Sequence, residues 1–184
     1  SLSKRYGTKA NKKENRMEYL FLRRKKTRLT SVRQKTLLYR AASCQWEREF
    51  ASQTDVRPID GSIYKGILYL LEVRQVFLDS SLSLKVLSAM LETNQTYLSQ
   101  VVNRYFGCNL KELVNRYRVE YAKELLRSGR CPMEEVPVRS GFGSKSPFYV
   151  AFGKVTGMTP RQYVARKRNL PDLLEMEQDN KVLL

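Results

Sequence analysis

The chain has 184 residues, 42% of them hydrophobic, which is enough to bury one core of ordinary size or two small ones. Its formal net charge of +16 favours a polyanionic partner, nucleic acid or an anionic membrane, over a surface that only aids solubility. Histidine is missing, the three cysteines lack metal-site or CxxC spacing, and no phosphate-binding glycine motif occurs. We therefore expect no catalytic residues, no metal, no cofactor and no enzymatic activity.

The first 57 residues are the most basic part of the chain, with sixteen Lys and Arg against five Asp and Glu. Residues 1–15 are polar and lysine-rich, which predicts a loose segment. A helix with one narrow apolar stripe is predicted further on, because apolar residues recur at every fourth position. These residues are Leu38, Ala42, Trp46 and Phe50. The apolar runs near the start are far shorter than the roughly 20 residues of a membrane helix.

A cluster of turn formers at residues 54–62 marks the predicted domain boundary, which we place between residues 57 and 58. From Ile63 onwards the apolar residues follow a helical period without strand alternation, and this pattern predicts an all-α fold. The first helix of this domain is predicted to run from Ile63 to about Asp79. The domain itself is predicted to cover residues 58–168, and residues 169–184 form an acidic tail.

A short helix, a tight turn and a longer helix are predicted over residues 83–106. Ser83 can cap the first helix, and Gly107 can end the second as a C′ glycine. If the apolar residues of the second helix face the core, its amides, hydroxyls and one guanidinium face outward, which suits base edges and phosphates in a major groove. The outward set is Gln95, Thr96, Ser99, Gln100, Asn103 and Arg104. An ordinary polar helix surface is the alternative interpretation.

The helix-turn-helix pattern is repeated over residues 133–156, after a predicted linker helix at 109–128. Asn109 and Glu112 resemble a capping box at the start of the linker helix, which would be about 25 Å long. A rigid helix of that length, together with the bodies it connects, could hold two reading helices one turn of DNA apart, about 34–36 Å. The outward set of the second unit is Lys145, Ser146, Tyr149, Val150 and Lys154.

Two prolines and a glycine interrupt this second unit. Pro137 is predicted to lie inside a helix at about 133–140, where a proline costs roughly 3 kcal/mol, so Pro137→Ala is expected to stabilise the unit. Gly153, if it lies inside a helix, would lower the stability of that helix by about 1 kcal/mol relative to alanine. Pro147 is milder, because it falls in a first helical turn if Ser144 is the cap. We therefore expect strain in the second unit and most base reading from residues 94–104.

Three stretches of the chain carry the landmarks of a known family. They are "LSLKVLSAMLETNQTYLSQVVNRYFG", "LKELVNRYRVEYAKELLRSG" and "SGFGSKSPFYVAFGKVTGMTPRQY". The individual landmarks are Gly141, Phe142, Ser146, Phe148, Phe152, Gly157, Pro160 and Tyr163. Residues 63–168 thereby resemble the DNA-binding domain of the AraC/XylS family of bacterial transcription regulators. The stretches "TNQTYLSQVVN" and "KVTGMTP" are similar to Bacteroides-type regulators, whose membrane-anchored sensors often end in such domains.

The resemblance implies two tandem helix-turn-helix subdomains, joined by a long linker helix, that bind promoter DNA and contact RNA polymerase. It implies base reading by Gln95, Thr96, Ser99, Gln100, Lys145, Ser146, Tyr149 and Val150. Phosphate contacts would fall to Asn103, Arg104 and Lys154. The chain departs from the family where Pro137 replaces an alanine and Gly153 a lysine.

The favoured interpretation is a cytoplasmic, sequence-specific transcription activator that reads two successive major grooves. Residues 1–57 would be a basic juxtamembrane linker below a membrane anchor or sensor domain. A non-specific DNA-binding arm and a dimerisation helix are the alternatives for this segment, and the oligomeric state stays open. The competing functions are a polyanion-binding module for RNA or bulk DNA and a protein-interaction adaptor.

Overall fold

The computed structural model describes residues 31–168, except residues 51 and 54. Within these residues the secondary structure is helical and contains no strand, which confirms the all-α fold class. The predictions of a loose segment at residues 1–15 and of an acidic tail at 169–184 lie outside the described residues. No helix in the described part of the chain is both long enough and apolar enough to cross a membrane.

Eight α-helices lie in the described part of the chain. They are α1 (Ser31–Glu49), α2 (Pro58–Leu68), α3 (Leu84–Met90), α4 (Gln95–Phe106), α5 (Leu110–Ser128), α6 (Val136–Arg139), α7 (Lys145–Thr156) and α8 (Pro160–Arg168). A π-helical turn, Tyr69–Val73, continues α2, and a 3₁₀ turn follows at Val76–Leu78. The expectation of one helix from Ile63 to Asp79 is therefore wrong. The helix begins earlier, at a proline whose fixed φ suits a first turn, and the helical path breaks at Gln75, where φ is 52°.

The described residues divide into two compact units, and the first comprises those up to Val76 together with Leu82–Val114. Its core includes the apolar stripe of α1, whose partner could not be identified from the sequence. The ring of Trp46 lies 5.3 Å from that of Tyr64 on α2 and 4.8 Å from that of Tyr105 on α4. A Cβ added to Gly61 would meet the Trp46 ring at 3.0 Å, so the close approach of α1 to α2 depends on this glycine. The boundary predicted after residue 57 thus falls between two helices that pack on each other.

The second unit comprises Phe77–Ser81 and the described residues from Asn115 onwards. Its buried core is built on aromatic rings of α7, with Phe148 5.4 Å from Phe142 and Phe152 5.7 Å from Tyr163 on α8. The remaining buried members are Val119, Ala122, Val136 and Ala151. The family landmarks at Phe142, Phe148, Phe152 and Tyr163 are therefore core residues, which position the helices and do not themselves read DNA.

The glycine before Phe142 allows the chain to pass close to the 77–81 segment. Gly141 has φ of 90°, and a Cβ there would lie 2.3 Å from the carbonyl oxygen of Phe77. Arg118 on α5 holds the same segment, since its Nε donates to the Phe77 carbonyl at 2.8 Å and its Nη2 to the Asp79 carbonyl at 2.9 Å. Only glycine satisfies both the dihedral angle and the clearance at position 141.

Pro137 does not lie in the interior of a helix, so the predicted position of this residue is wrong. Helix α6 begins at Val136, and Pro137 is its second residue, in the first turn where a backbone N–H has no intrahelical partner. The Pro137 carbonyl accepts a hydrogen bond from the Phe142 amide at 2.9 Å, and its side chain is buried. Pro147 is the third residue of α7, in the first turn as expected, whereas Gly153 lies in the interior of α7.

Candidate nucleic-acid interface

Helix α4 has one buried face and one polar face. Its buried side chains are Leu98, Val101, Val102 and Tyr105. On the opposite face Gln95, Thr96, Gln100, Asn103 and Arg104 are exposed, and Ser99 is half-buried. The structure therefore brings all six outward residues predicted for the first unit onto one surface. The Asn103 amide donates to the Ser99 hydroxyl at 3.4 Å, which links two of them one turn apart.

Both ends of the first helix-turn-helix are fixed by caps. The Ser83 hydroxyl accepts from the Val86 amide at 3.3 Å, and the Asn94 side chain accepts from the Tyr97 amide at 2.8 Å. The turn between α3 and α4 passes through Glu92 with φ of 53°, in the left-handed region that few non-glycine residues adopt. Gly107 ends α4 with φ of 70°. Because α4 starts and stops at defined residues, its outward set is fixed in register.

A buried carboxylate lies beneath α4, and the sequence analysis missed it. Asp60, only 1% exposed, accepts hydrogen bonds from the hydroxyls of Tyr97 and Tyr105, the latter at 2.5 Å. Arg57 adds an ion pair at 3.6 Å and lies over the Tyr97 ring, 4.7 Å from its centroid. Asp60 had been assigned to a boundary turn. One sequence signal could have placed Asp60 in a helix. Pro58 followed two positions later by an acidic residue is typical of the first turn of a helix.

The environment of Asp60 favours its charged form. Burial raises the pKa of this carboxyl, but the hydrogen bonds from Tyr105 and Tyr97, together with the Arg57 charge, hold it below its ordinary value. Burial, followed by the hydrogen bond to Asp60, raises the pKa of Tyr97 to about 12. At neutral pH the site is therefore one carboxylate held by two neutral phenols, and it joins α2 to two turns of α4.

Helix α7 presents the second outward face. Lys145, Ser146, Tyr149, Val150 and Lys154 are all exposed, as predicted from the helical period. This face is less polar than that of α4, because Val150 is 73% exposed and Tyr149 is 41% exposed. Towards the C-terminal end of α7, Gly153 has no side chain, and a Cβ there would meet nothing within 4 Å.

The two units repeat each other with an offset of fifty residues. Helices α4 and α7 begin at 95 and 145, end at 106 and 156, and are followed by left-handed glycines at 107 and 157. The caps of the next helices share the offset: Asn109 accepts from the Glu112 amide at 2.9 Å, and Thr159 accepts from the Gln162 amide at 3.2 Å. The equivalent outward pairs are Gln95 and Lys145, Thr96 and Ser146, Ser99 and Tyr149, Gln100 and Val150, Asn103 and Gly153, and Arg104 and Lys154.

The outward faces carry positive charge without a negative residue on the same helix. Helix α4 contains Arg104, and α7 contains Lys145 and Lys154, and neither helix has an Asp or Glu. Helix α8 adds the exposed side chains of Arg161, Arg166 and Lys167, again without an acidic residue. Polar and apolar side chains flanked by cations are the combination that a DNA groove between two phosphate backbones requires.

One predicted phosphate contact is engaged within the protein. The Arg104 guanidinium forms an ion pair with Asp55 at 3.0 Å, and the Asp55 side chain is 89% exposed. Such an exposed pair contributes little stability, about 0–1 kcal/mol, so a phosphate group can replace the carboxylate at small cost.

Comparison with known proteins finds relatives for this part of the chain. Residues 87–166 match the family model described as "Helix-turn-helix domain". Over 85 residues, 46% of this chain, the sequence is 27% identical to the melibiose operon regulatory protein of Escherichia coli K12. The match spans only 28% of the length of that regulator.

Two solved structures share the fold. The C-terminal domain of AraT, a response regulator from Geobacillus stearothermophilus, is 28% identical with a TM-score of 0.52, over 61% of this chain and 88% of that one. The DNA-binding domain of AdpA, a global transcriptional factor solved in complex with a target DNA, has a TM-score of 0.53 over 60% of this chain and 96% of that one. Its identity is 19%, so this likeness concerns the fold alone. Over residues 87–166 this chain is therefore similar to the helix-turn-helix domains of AraC-like transcription regulators.

Proposed function

We propose that this chain is the DNA-binding part of a sequence-specific transcription regulator that reads two successive major grooves. The observation that carries the proposal is the fifty-residue repeat, in which α4 and α7 each bury one face and expose a cationic, acid-free face. A polyanion is the ligand that such a surface favours, and an exposed helix face flanked by cations fits a major groove. The match of residues 87–166 to a helix-turn-helix domain model supports duplex DNA as that polyanion.

The roles of the outward residues follow from their chemistry. Amide, hydroxyl and ammonium groups recognise base edges by hydrogen bonds, and apolar groups recognise the thymine methyl group. We assign base reading to Gln95, Thr96, Ser99, Gln100, Lys145, Ser146, Tyr149 and Val150. Positive or amide side chains at the far ends of the helices bind phosphates, and we assign this role to Asn103, Arg104 and Lys154. Phosphate contacts fix the position of the protein on the duplex, whereas the base contacts select the sequence.

The whole protein is proposed to act in the cytoplasm as a transcription activator that contacts RNA polymerase. Support comes from the resemblance of the chain to bacterial promoter-binding regulators and from the regulatory role named for its E. coli relative. A membrane anchor or sensor upstream of residue 1 is part of the same proposal, since basic residues gather on the cytoplasmic side of membrane spans. The first 57 residues have a net charge of +11, from sixteen basic and five acidic side chains.

The decisive experiment is selection of bound sequences from a pool of random DNA duplexes by the 184-residue chain. We expect a defined site with two separated blocks of preferred bases, one for each recognition helix. Affinity for this site should exceed affinity for a scrambled duplex by about 10³-fold or more, and both affinities should fall as salt rises. Equal affinity for both duplexes would instead indicate a non-specific polyanion-binding module, and no binding at low salt would indicate a protein-interaction adaptor.

Single substitutions then test the assignment of readers. Thr96→Ala and Gln100→Ala should each weaken discrimination at particular base pairs by about 1–3 kcal/mol of binding free energy. Both variants should keep almost the full affinity for scrambled DNA. Both side chains are exposed, so neither substitution removes a core contact. If both variants lose the same affinity for every sequence, these side chains bind the backbone and do not read bases.

A further inference from the structure

The most exposed apolar side chain of the second unit lies where a DNA-reading helix should be polar. Val150 is 73% exposed on the outward face of α7, more than its neighbours Tyr149 at 41% and Val155 at 38%. It does not belong to the core, which α7 reaches through Phe148, Ala151 and Phe152. A single exposed valine is ordinary on a protein surface, as Val138 at 68% exposure shows, but on a face proposed to enter a DNA groove it can contact only an apolar group of the ligand.

The repeat shows that this is a difference between the two units. Val150 occupies the position of Gln100 on α4, and both are exposed. A glutamine amide can donate to and accept from an adenine edge, whereas valine offers only methyl groups. The second unit therefore lacks the hydrogen-bonding reader that the first unit has at this position.

The major groove presents one apolar group, the C5-methyl of thymine. A valine on a recognition helix can pack on that methyl, and contact with it distinguishes thymine from the other bases. The flanking charges fit the same ligand, since Lys145 and Lys154 lie near the two ends of α7, where Lys145 can reach a base edge and Lys154 a phosphate.

A short side chain such as valine reaches a base only if its helix lies deep in the groove. Gly153, one turn after Val150 on the same face, leaves open space there, with nothing within 4 Å of an added Cβ. The position equivalent to Asn103 is thus bare backbone in the second unit. Glycine at such a point is typical of close approach between backbone and ligand.

We propose that Val150 reads thymine through van der Waals contact with its C5-methyl group, in the half of the DNA site that α7 occupies. This inference rests on the proposed function and adds the base that the second unit selects. The two recognition helices then use different chemistry, since Gln100 reads by hydrogen bonds and Val150 by an apolar contact.

The test uses the site obtained by selection and replaces its thymidines one at a time with deoxyuridine, which lacks only the C5-methyl group. Binding by the 184-residue chain is measured by fluorescence anisotropy at fixed salt. We expect one or two thymidines in one block at which the replacement weakens binding about fourfold, the change that corresponds to burial of one methyl group. For Val150→Ala the deoxyuridine penalty at these thymidines should disappear, and affinity for the unmodified site should fall by a similar factor.

Gln100→Ala is the matched control, because it changes the equivalent position of the other unit. It should keep the full deoxyuridine penalty at the thymidines that Val150 senses. If every penalty survives in Val150→Ala, or if no thymidine is sensitive, Val150 does not read thymine, although sequence-specific binding stands. If the selection yields no preferred sequence at all, the proposed function fails, and this inference fails with it.

Discussion

The carboxylate of Asp60 accepts a hydrogen bond from the Tyr105 hydroxyl at 2.5 Å and another from the hydroxyl of Tyr97, which lies two turns earlier on α4. One buried charge at the start of α2 thereby fixes two points of the recognition helix. The rotation of α4 about its axis decides which side chains face outward, so this relationship positions the reading face.

Asp60→Asn should lower the free energy of unfolding by about 1–3 kcal/mol, because it removes the charge that both hydroxyls bind and turns one acceptor into a donor. Urea denaturation at pH 7 would measure the change. In Asp60→Asn, affinity for the selected site should fall more than affinity for scrambled DNA. A rotated α4 would misplace its base-reading side chains but would still present its positive charge.

Asp55→Asn is the control for this substitution, because Asp55 also bonds to a residue of α4 but is 89% exposed. It should change the free energy of unfolding by less than about 1 kcal/mol. If the two variants unfold at the same urea concentration, burial does not make the Asp60 site important for stability.

Stability should also decrease at alkaline pH because of the same site. The pKa of Tyr97 is raised to about 12, so the folded state favours the neutral phenol more than the unfolded state does. Its contribution to stability is complete below pH 10 and is lost as the pH rises towards 12. Urea denaturation between pH 9 and 12 should show a steeper fall for the wild type than for Tyr97→Phe, and identical slopes would exclude this coupling.

Gly153→Ala should raise the free energy of unfolding by about 1 kcal/mol, since glycine is unfavourable inside a helix and a Cβ fits the open space. The control is Gly157→Ala, where the surroundings are equally open but φ is 72°. In Gly157→Ala the free energy of unfolding should instead fall by about 1–2 kcal/mol, because alanine is strained at a positive φ. Thermal denaturation of both proteins would measure the two changes. If the free energy of unfolding changes in the same direction in both variants, helical propensity and backbone conformation do not decide stability at these positions.

Pro137→Ala should lower the free energy of unfolding by about 1 kcal/mol, which reverses the expectation from the sequence. In the first turn of α6 the proline costs no hydrogen bond, restricts the unfolded chain and buries its ring. Pro147→Ala, at an exposed first-turn position of α7, is the control. Its free energy of unfolding should fall by less than that of Pro137→Ala. A higher melting temperature for Pro137→Ala would restore the interpretation of strain.

Arg104→Ala should reduce the slope of log affinity against log salt by about one, because one phosphate contact is lost. Asp55→Asn should raise the affinity for DNA, since it releases Arg104 from an ion pair of 3.0 Å and removes a negative charge. Titration of scrambled duplex DNA across a salt series would measure both. If Asp55→Asn binds no tighter than the wild type, Arg104 does not contact phosphate.

Features set by neighbours along the chain could be predicted from the sequence. The outward faces of α4 and α7 follow from the helical period, and the caps at Ser83 and Asn109 depend on residues three positions away. Pro137 shows the limit of local reasoning, because a proline is unfavourable inside a helix and favourable at its start. Its effect therefore depends on where the helix begins, and here the turn at residues 133–135 delays that start to Val136.

The role of Asp60 could not be predicted, because its partners lie 37 and 45 residues away in the sequence. A polar residue beside proline and glycine suits an exposed turn, and only the approach of α4 buries it. The stripe of α1 posed the same problem, since its period predicted a buried face but not the rings of Tyr64 and Tyr105 that cover it. Tertiary packing decides both cases.

The fifty-residue repeat pairs two recognition helices that differ at all six equivalent outward positions. Under the proposed function, a DNA site that satisfies both helices is not a palindrome and has a direction. Inverting that site within a promoter would turn the bound chain end for end and direct the rest of the protein towards the other neighbouring sequence. A single polypeptide with unequal halves can in this way encode orientation, which a symmetric dimer of identical reading units cannot do.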